Sequence, residues 1–364
     1  MAKALRDWVD RFLGRGEAAV TVPPLDGALK PNNLLEEAPA GTRAPAADNI
    51  LVTPAGLVFS SGSQVLLLAG EGQAEPALLY SAAGVVSALA VSTDGVLAVA
   101  SKTLVFIDAN GHAVTTLLPG SQDWGGVTAM AFAGDGSLIL CVGSAANALD
   151  EWQRDLLDGG RSGSVWRLDP KSGKAQKLAD RLAYPNGVVI ETDGSIIVSE
   201  AWEKRLVRLS PQGKGLGQVM EDLPGYPARI STSTRGGYWL TIFAPRSQLI
   251  EFVLREPEYR KTMMAEVDKA FWVAPALGSG RSFREPMQGG ALKQMGILKP
   301  WAPTRSYGLV VELPPDFVPV RSLHSRAGGK RHGITSAVEA GGTLWATAKG
   351  GDEVIAVNLS MRGN

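Results

Sequence analysis

Tyr184-Pro185-Asn186-Gly187 and, one strand pair further on, Gly225-Tyr226-Pro227-Ala228-Arg229 are two versions of one short motif. The first leads into the apolar run Val188–Ile190, the turn Asp193-Gly194 and a second run, Ile196–Val198. The second leads through Gly236-Gly237 to Trp239 in the same order. One copy carries an asparagine able to bind a ligand or a metal. The other carries alanine and arginine. The stretch Tyr184–Trp239 therefore reads as part of a repeat protein whose central site has been rewritten.

The same pattern extends in both directions. Turns at Ala55-Gly56, Asp94-Gly95, Asp135-Gly136, Asp193-Gly194, Gly236-Gly237 and Gly341-Gly342 each separate two short apolar runs. Tight hairpins favour glycine because their central residues need positive φ. A third run often follows, as in Ser164–Leu168, Arg205–Leu209 and Glu353–Val357. The turns are 39, 41, 58, 43 and 105 residues apart, and a unit of about forty residues with three or four strands is the period of a propeller blade.

The two long intervals hold insertions. Residues 147–163 contain Leu149, Trp152, Leu156 and Leu157 at helical spacing. Residues 255–306 contain Met263, Met264, Val267 and Phe271 at helical spacing, and also Trp272, Met287, Met295 and Trp301. This second set is apolar enough for a lid over the channel, or for a lid-mediated dimer or membrane contact. The expected architecture is all-β: a six-bladed propeller over residues 18–364, with Ala18–Val22 supplying the strand that closes the ring. Residues 1–17 read as an amphipathic helix with Leu5, Trp8, Val9, Phe12 and Leu13 on one face.

Thirty-six basic and 36 acidic residues cancel, so no electrostatic footprint for nucleic acid is present. Cys141 is the only cysteine, which excludes disulfides within the chain and cysteine-rich metal sites. No apolar run has the length of a membrane span or the form of a signal peptide, so a cytoplasmic location is expected.

Leu182–Gly187, Asp193-Gly194, Ser199-Glu200, Arg205–Leu209, Leu223–Pro227 and Gly237–Leu240 together resemble the strictosidine-synthase-like six-bladed propellers, relatives of paraoxonases and gluconolactonases. The resemblance covers most of residues 48–359 and implies a site where the inner strands begin around the channel. Metal-dependent relatives hold calcium there through acid and amide oxygens. Carried over, it places Asp48 in the first-blade acid position and Asn186 in the fourth-blade amide position. Thr128-Ala129 and Ala228-Arg229 replace the other acid–amide pairs. That ligand set is incomplete and a calcium site is disfavoured. Arg229 instead reads as a permanent cation in place of the metal, pairing with Asp48 or gripping an oxyanion.

The resemblance also argues against inherited chemistry. Thr335 stands where the alkaloid-condensing members have a glutamate, so strictosidine synthesis is not expected. Gly84–Val91 lacks the histidine of the lactonases. His332 opens the last inner strand and is the remaining candidate base, or else a structural hydrogen-bonding histidine. Tyr184, Tyr226 and Trp202 are read as channel-mouth aromatics. Glu200 is either a mouth carboxylate or a salt-bridge partner of Lys204 or Arg205.

These residues frame three readings. The first is a small-molecule hydrolase of a lactone or ester using Asp48, Arg229 and His332, with Asn186 orienting substrate. The others are a non-catalytic binder of carboxylates and a protein-interaction scaffold.

Overall fold

The computed structural model describes residues 22–69, 75–116, 126–286, 293–294, 297–298 and 305–360. The expected helix over residues 1–17 lies outside them. Six four-stranded antiparallel sheets are arranged as blades. Their inner strands are Ala47–Thr53, Ala88–Val91, Val127–Phe132, Pro185–Ile190, Gly225–Thr232 and Ile334–Ala340, for blades one to six. The glycine turns link each of these to its second strand. In blade four the order runs Pro185–Ile190, Ile196–Glu200, Arg205–Leu209, Gly215–Met220.

Strand alternation explains how the blades stack. In the second strand of blade four, Ile196 and Val198 turn toward blade three and pack with Ile139 and Val165. Ile197, between them, turns toward blade five and packs with Ile230, Leu240 and Val311. Side chains of period two thus feed two different cores, which is why these strands read as continuous apolar runs rather than alternating ones. Each such residue, fully buried, contributes about 1.5–3 kcal/mol. Similar clusters fill the spaces between blades one and two, two and three, five and six, and six and one.

Ring closure differs from the expectation. The outer strand of blade six is Thr42–Arg43, paired antiparallel with Val354 and Glu353. Residues 18–21 lie outside the described set and Val22 is not in a strand. The approach to this short strand is fixed both by burial of Leu35 among the apolar side chains of blades five and six and by hydrogen bonds from Arg331. Arg331 donates to the carbonyls of Leu35 (2.7 Å), Ala38 (2.7 Å) and Pro39 (2.8 Å) and pairs with Glu353 (3.0 Å).

Both insertions join the second and third strands of a blade. The one in blade three carries α1, Trp152–Asp158, ended by Gly159 in the left-handed conformation. The one in blade five starts earlier than residue 255, with α2, Gln248–Val253, capped by Ser247, and continues with α3, Pro257–Glu266. Leu157 of α1 packs with Val253, Met263 and Trp272, so the two insertions form one small apolar cap. Met287, Met295 and Trp301 lie where no side chain is described. Among the described residues no helix is long and apolar enough to cross a membrane.

Candidate functional site

Arg229 leaves the inner strand of blade five and crosses the channel. Its Nη1 donates to Asp48 Oδ1 of blade one (2.6 Å) and to the Thr335 carbonyl of blade six (3.4 Å). Its Nη2 donates to the carbonyl of Ser87, just before the inner strand of blade two (2.8 Å), and to that of Thr128 in blade three (3.1 Å). One guanidinium therefore ties four other blades together. Gly187 permits this placement: any Cβ there would collide with the Ala228 carbonyl and crowd Arg229 Cα. The glycine of the first motif copy makes room for the arginine of the second.

Asp48 is buried and doubly paired. Lys349, just after the second strand of blade six, donates to Oδ2 at 2.9 Å. Burial alone would raise the Asp48 pKa, but the charges of Arg229 and Lys349 outweigh it and bring the carboxyl down to about 2. Two cations on one carboxylate leave the channel centre with a net positive charge.

Above this centre opens a cavity of about 540 Å³ whose floor includes Asp48, Arg229, Asn186 and Lys349. Its walls include Tyr184, Trp202, Trp152 and Phe243, with Leu149 and Asp150 from the first insertion and Leu277 from the second. Arg229 also borders a void of about 60 Å³ on its other side, so the side chain divides the channel.

The aromatic wall is rigidly held. Tyr184 stacks on Trp202 at 4.4 Å, and Trp202 lies 6.2 Å from Trp152. Tyr184 adopts φ 58°, a left-handed conformation that costs a bulky residue about 1–3 kcal/mol. Its carbonyl accepts from Ala201 (3.0 Å) and its ring is clamped by Trp202. Behind the wall, Asp155 of α1 is buried and accepts from Trp202 Nε1 (2.7 Å) and Asn147 Nδ2 (3.0 Å). Asp155→Ala should leave the indole N–H unsatisfied and lower stability by about 1–3 kcal/mol. A urea titration followed by tryptophan fluorescence checks this, and Asp155→Asn, which keeps an acceptor for Trp202, should lose less.

Several expected site residues are placed elsewhere. His332 is buried against blade five and does not line the cavity. Burial lowers its pKa. The neutral ring donates from Nε2 to the Arg326 carbonyl and accepts at Nδ1 from the Ser306 hydroxyl, both at 2.8 Å. Gly333, at φ 64°, redirects the chain before the inner strand begins. Glu200 is also buried, accepting from the Ala183 amide (2.8 Å) and Arg205 (2.6 Å), as a salt-bridge partner rather than a mouth carboxylate. Tyr226 lies behind the wall and donates to Glu251 at 3.0 Å. Asn186, Tyr184, Trp202, Asp48 and Arg229 do share the cavity. Lys349, Trp152 and Phe243 join them without having been anticipated.

No family model matches this chain. The zebrafish (Danio rerio) adipocyte plasma membrane-associated protein is 27% identical over 207 residues, covering 53% of this chain and 42% of the relative. Strictosidine synthase-like protein 13 of Arabidopsis thaliana is 31% identical over 108 residues, covering 29% of this chain and 27% of the relative. The chain thus spans less than half the length of these curated relatives. Among solved structures, a protein described as a gluconolactonase superposes with TM-score 0.54 at 14% identity, covering 91% of this chain and 92% of that one. The calcium-binding protein regucalcin from Agrobacterium tumefaciens superposes with TM-score 0.51 at 15% identity, covering 85% of each. The fold is a six-bladed β-propeller related to the gluconolactonase and strictosidine-synthase-like propellers.

Proposed function

We propose that the chain is a small-molecule enzyme of the hydrolase type that acts on an ester or lactone in the 540 Å³ cavity. The observation that carries this is Lys349. All four Nη hydrogens of Arg229 are directed at Asp48 and three carbonyls, so Arg229 fixes the floor. Lys349 spends one donor on Asp48, and its side chain keeps 30% of its exposure. Its remaining donors polarise a substrate carbonyl and hold the negative charge that develops on its oxygen. Asn186 orients the substrate, and the wall of Tyr184, Trp202 and Trp152 takes an apolar or ring-containing body.

A second reading is favoured by one specific observation. Asp48 is held near pKa 2 with both oxygens engaged, which makes it a weak base at neutral pH. With Asp48 so engaged, a cavity floored by Lys349 and Arg229 binds carboxylates without turning them over.

Lactones, aryl esters and their hydroxy-acid or carboxylate products, tested for both turnover and binding, separate the two. Turnover of an ester or lactone supports the enzyme. Tight product binding without turnover supports the binder. In either case Lys349→Met should weaken carboxylate binding about tenfold or more, the worth of one charged hydrogen bond. Binding that ignores Lys349 would overturn both readings.

A further inference from the structure

The channel centre has the composition of a cation site with the cation already covalently attached. Four oxygens from four blades surround one guanidinium: Asp48 Oδ1 and the Thr335 carbonyl at Nη1, and the carbonyls of Ser87 and Thr128 at Nη2. Asn186 stands beside them, lining the same floor. Carbonyl and carboxylate oxygens in such a ring are the donor set of a hard cation such as calcium. Here a guanidinium stands among them, at 2.6–3.4 Å from each. Lys349 also takes the second oxygen of Asp48. A divalent ion does not fit beside two permanent positive charges and one negative one.

We infer that Arg229 is an internal replacement for the channel's metal ion, so that the ring is held together without a divalent cation and the site cannot be loaded or emptied. Two consequences set this apart from an ordinary salt bridge. An ion pair needs one partner, whereas Arg229 satisfies inward-facing carbonyls from three blades that would otherwise crowd their lone pairs together. The positive charge is also fixed in stoichiometry and position, and so independent of calcium concentration. The inference concerns the same floor as the proposed enzyme but does not depend on turnover.

The test is cation rescue, read as melting temperature and by calorimetric titration. The wild-type protein should show no binding heat and no change in melting temperature with millimolar calcium chloride or with chelator. Arg229→Ala should melt lower and recover by about 5 °C with millimolar methylguanidinium, which refills the vacated ring. Calcium should rescue poorly in that variant, because the Lys349 ammonium still engages Asp48. It should rescue the double variant Arg229→Ala, Lys349→Met, where the carboxylate is free. If Arg229→Ala does not fold alone, refolding yield with and without methylguanidinium gives the same reading. Stoichiometric calcium binding by the wild type would overturn the inference. So would a variant that gains no more from either cation than the wild type does. Carboxylate binding that ignores Lys349→Met would overturn the proposed function, whereas cation rescue of the Arg229→Ala variants would leave this inference standing on its own.

Discussion

Asp48→Asn should lower the stability of the propeller by about 3 kcal/mol, the lower end of the loss when one partner of a buried pair is removed. The substitution keeps the shape and deletes the charge. Arg229 is only 16% exposed and cannot retreat to water, and Lys349 then faces it without a shared anion. The carbonyls of Ser87, Thr128 and Thr335 still bind the guanidinium, which keeps the effect from being larger. Acid titration of the wild type offers an independent check. The Asp48 carboxyl is depressed in the fold, from an ordinary 3.8 to about 2, so its contribution is fully present above about pH 4 and is lost as pH falls through about 2. At about 1.4 kcal/mol per pH unit this amounts to roughly 2 kcal/mol. Denaturant midpoints measured across that window should converge for wild type and Asp48→Asn. Parallel curves would show that Asp48 is not the charge responsible.

Trp202→Ala should cost about 3–5 kcal/mol, the range for a large aromatic removed from a packed interior. Trp202 touches Tyr184, Trp152, Tyr226 and Phe243, so its loss opens a hole at the junction of blades three, four and five. It also removes the donor that satisfies Asp155 and frees Tyr184 to leave its left-handed conformation. Trp202→Phe keeps a six-membered ring in the wall but loses the pyrrole half of the indole with its N–H, and should fall between. Denaturation curves rank the three proteins, and the affinity for any ring-containing ligand should follow the same order. A Trp202→Ala protein as stable as wild type would mean that the wall does not hold the fold.

The propeller was legible in the sequence because its information is local and repeated. Each blade restates a glycine turn between apolar runs, and strands that feed two cores carry a signal too strong to miss. Arg229 was legible for a different reason: two copies of one motif can be compared, and the difference between them falls at the channel centre. What was hidden depends on contacts between distant segments. Thr42–Arg43 is too short and too polar to read as a strand, since its position comes from Glu353 and from the Arg331 clasp before it. Lys349 sits in a Lys-Gly-Gly turn indistinguishable from a solvated one until ring closure brings it to Asp48, 301 residues away. His332 and Glu200 stayed open in the sequence between a site role and a structural one, and take the structural one, because position along a strand says which end of a blade a residue occupies, not whether a buried partner has claimed it.

The pairing of Thr42–Arg43 with Glu353–Val354 has a bearing on how the molecule comes into being. Blades two to five are built from hairpins that can form as each segment emerges during synthesis. So is blade one, whose four strands are consecutive, but the last blade is complete only when its final strand meets Thr42–Arg43, and the groups that blades one and six share must wait with it. Asp48 and Lys349 are 301 residues apart, and contacts of such long sequence separation are the slow ones to form. The pairing of Asp48 with Lys349 therefore cannot form until the last blade has been made, so the charged floor is completed together with the ring.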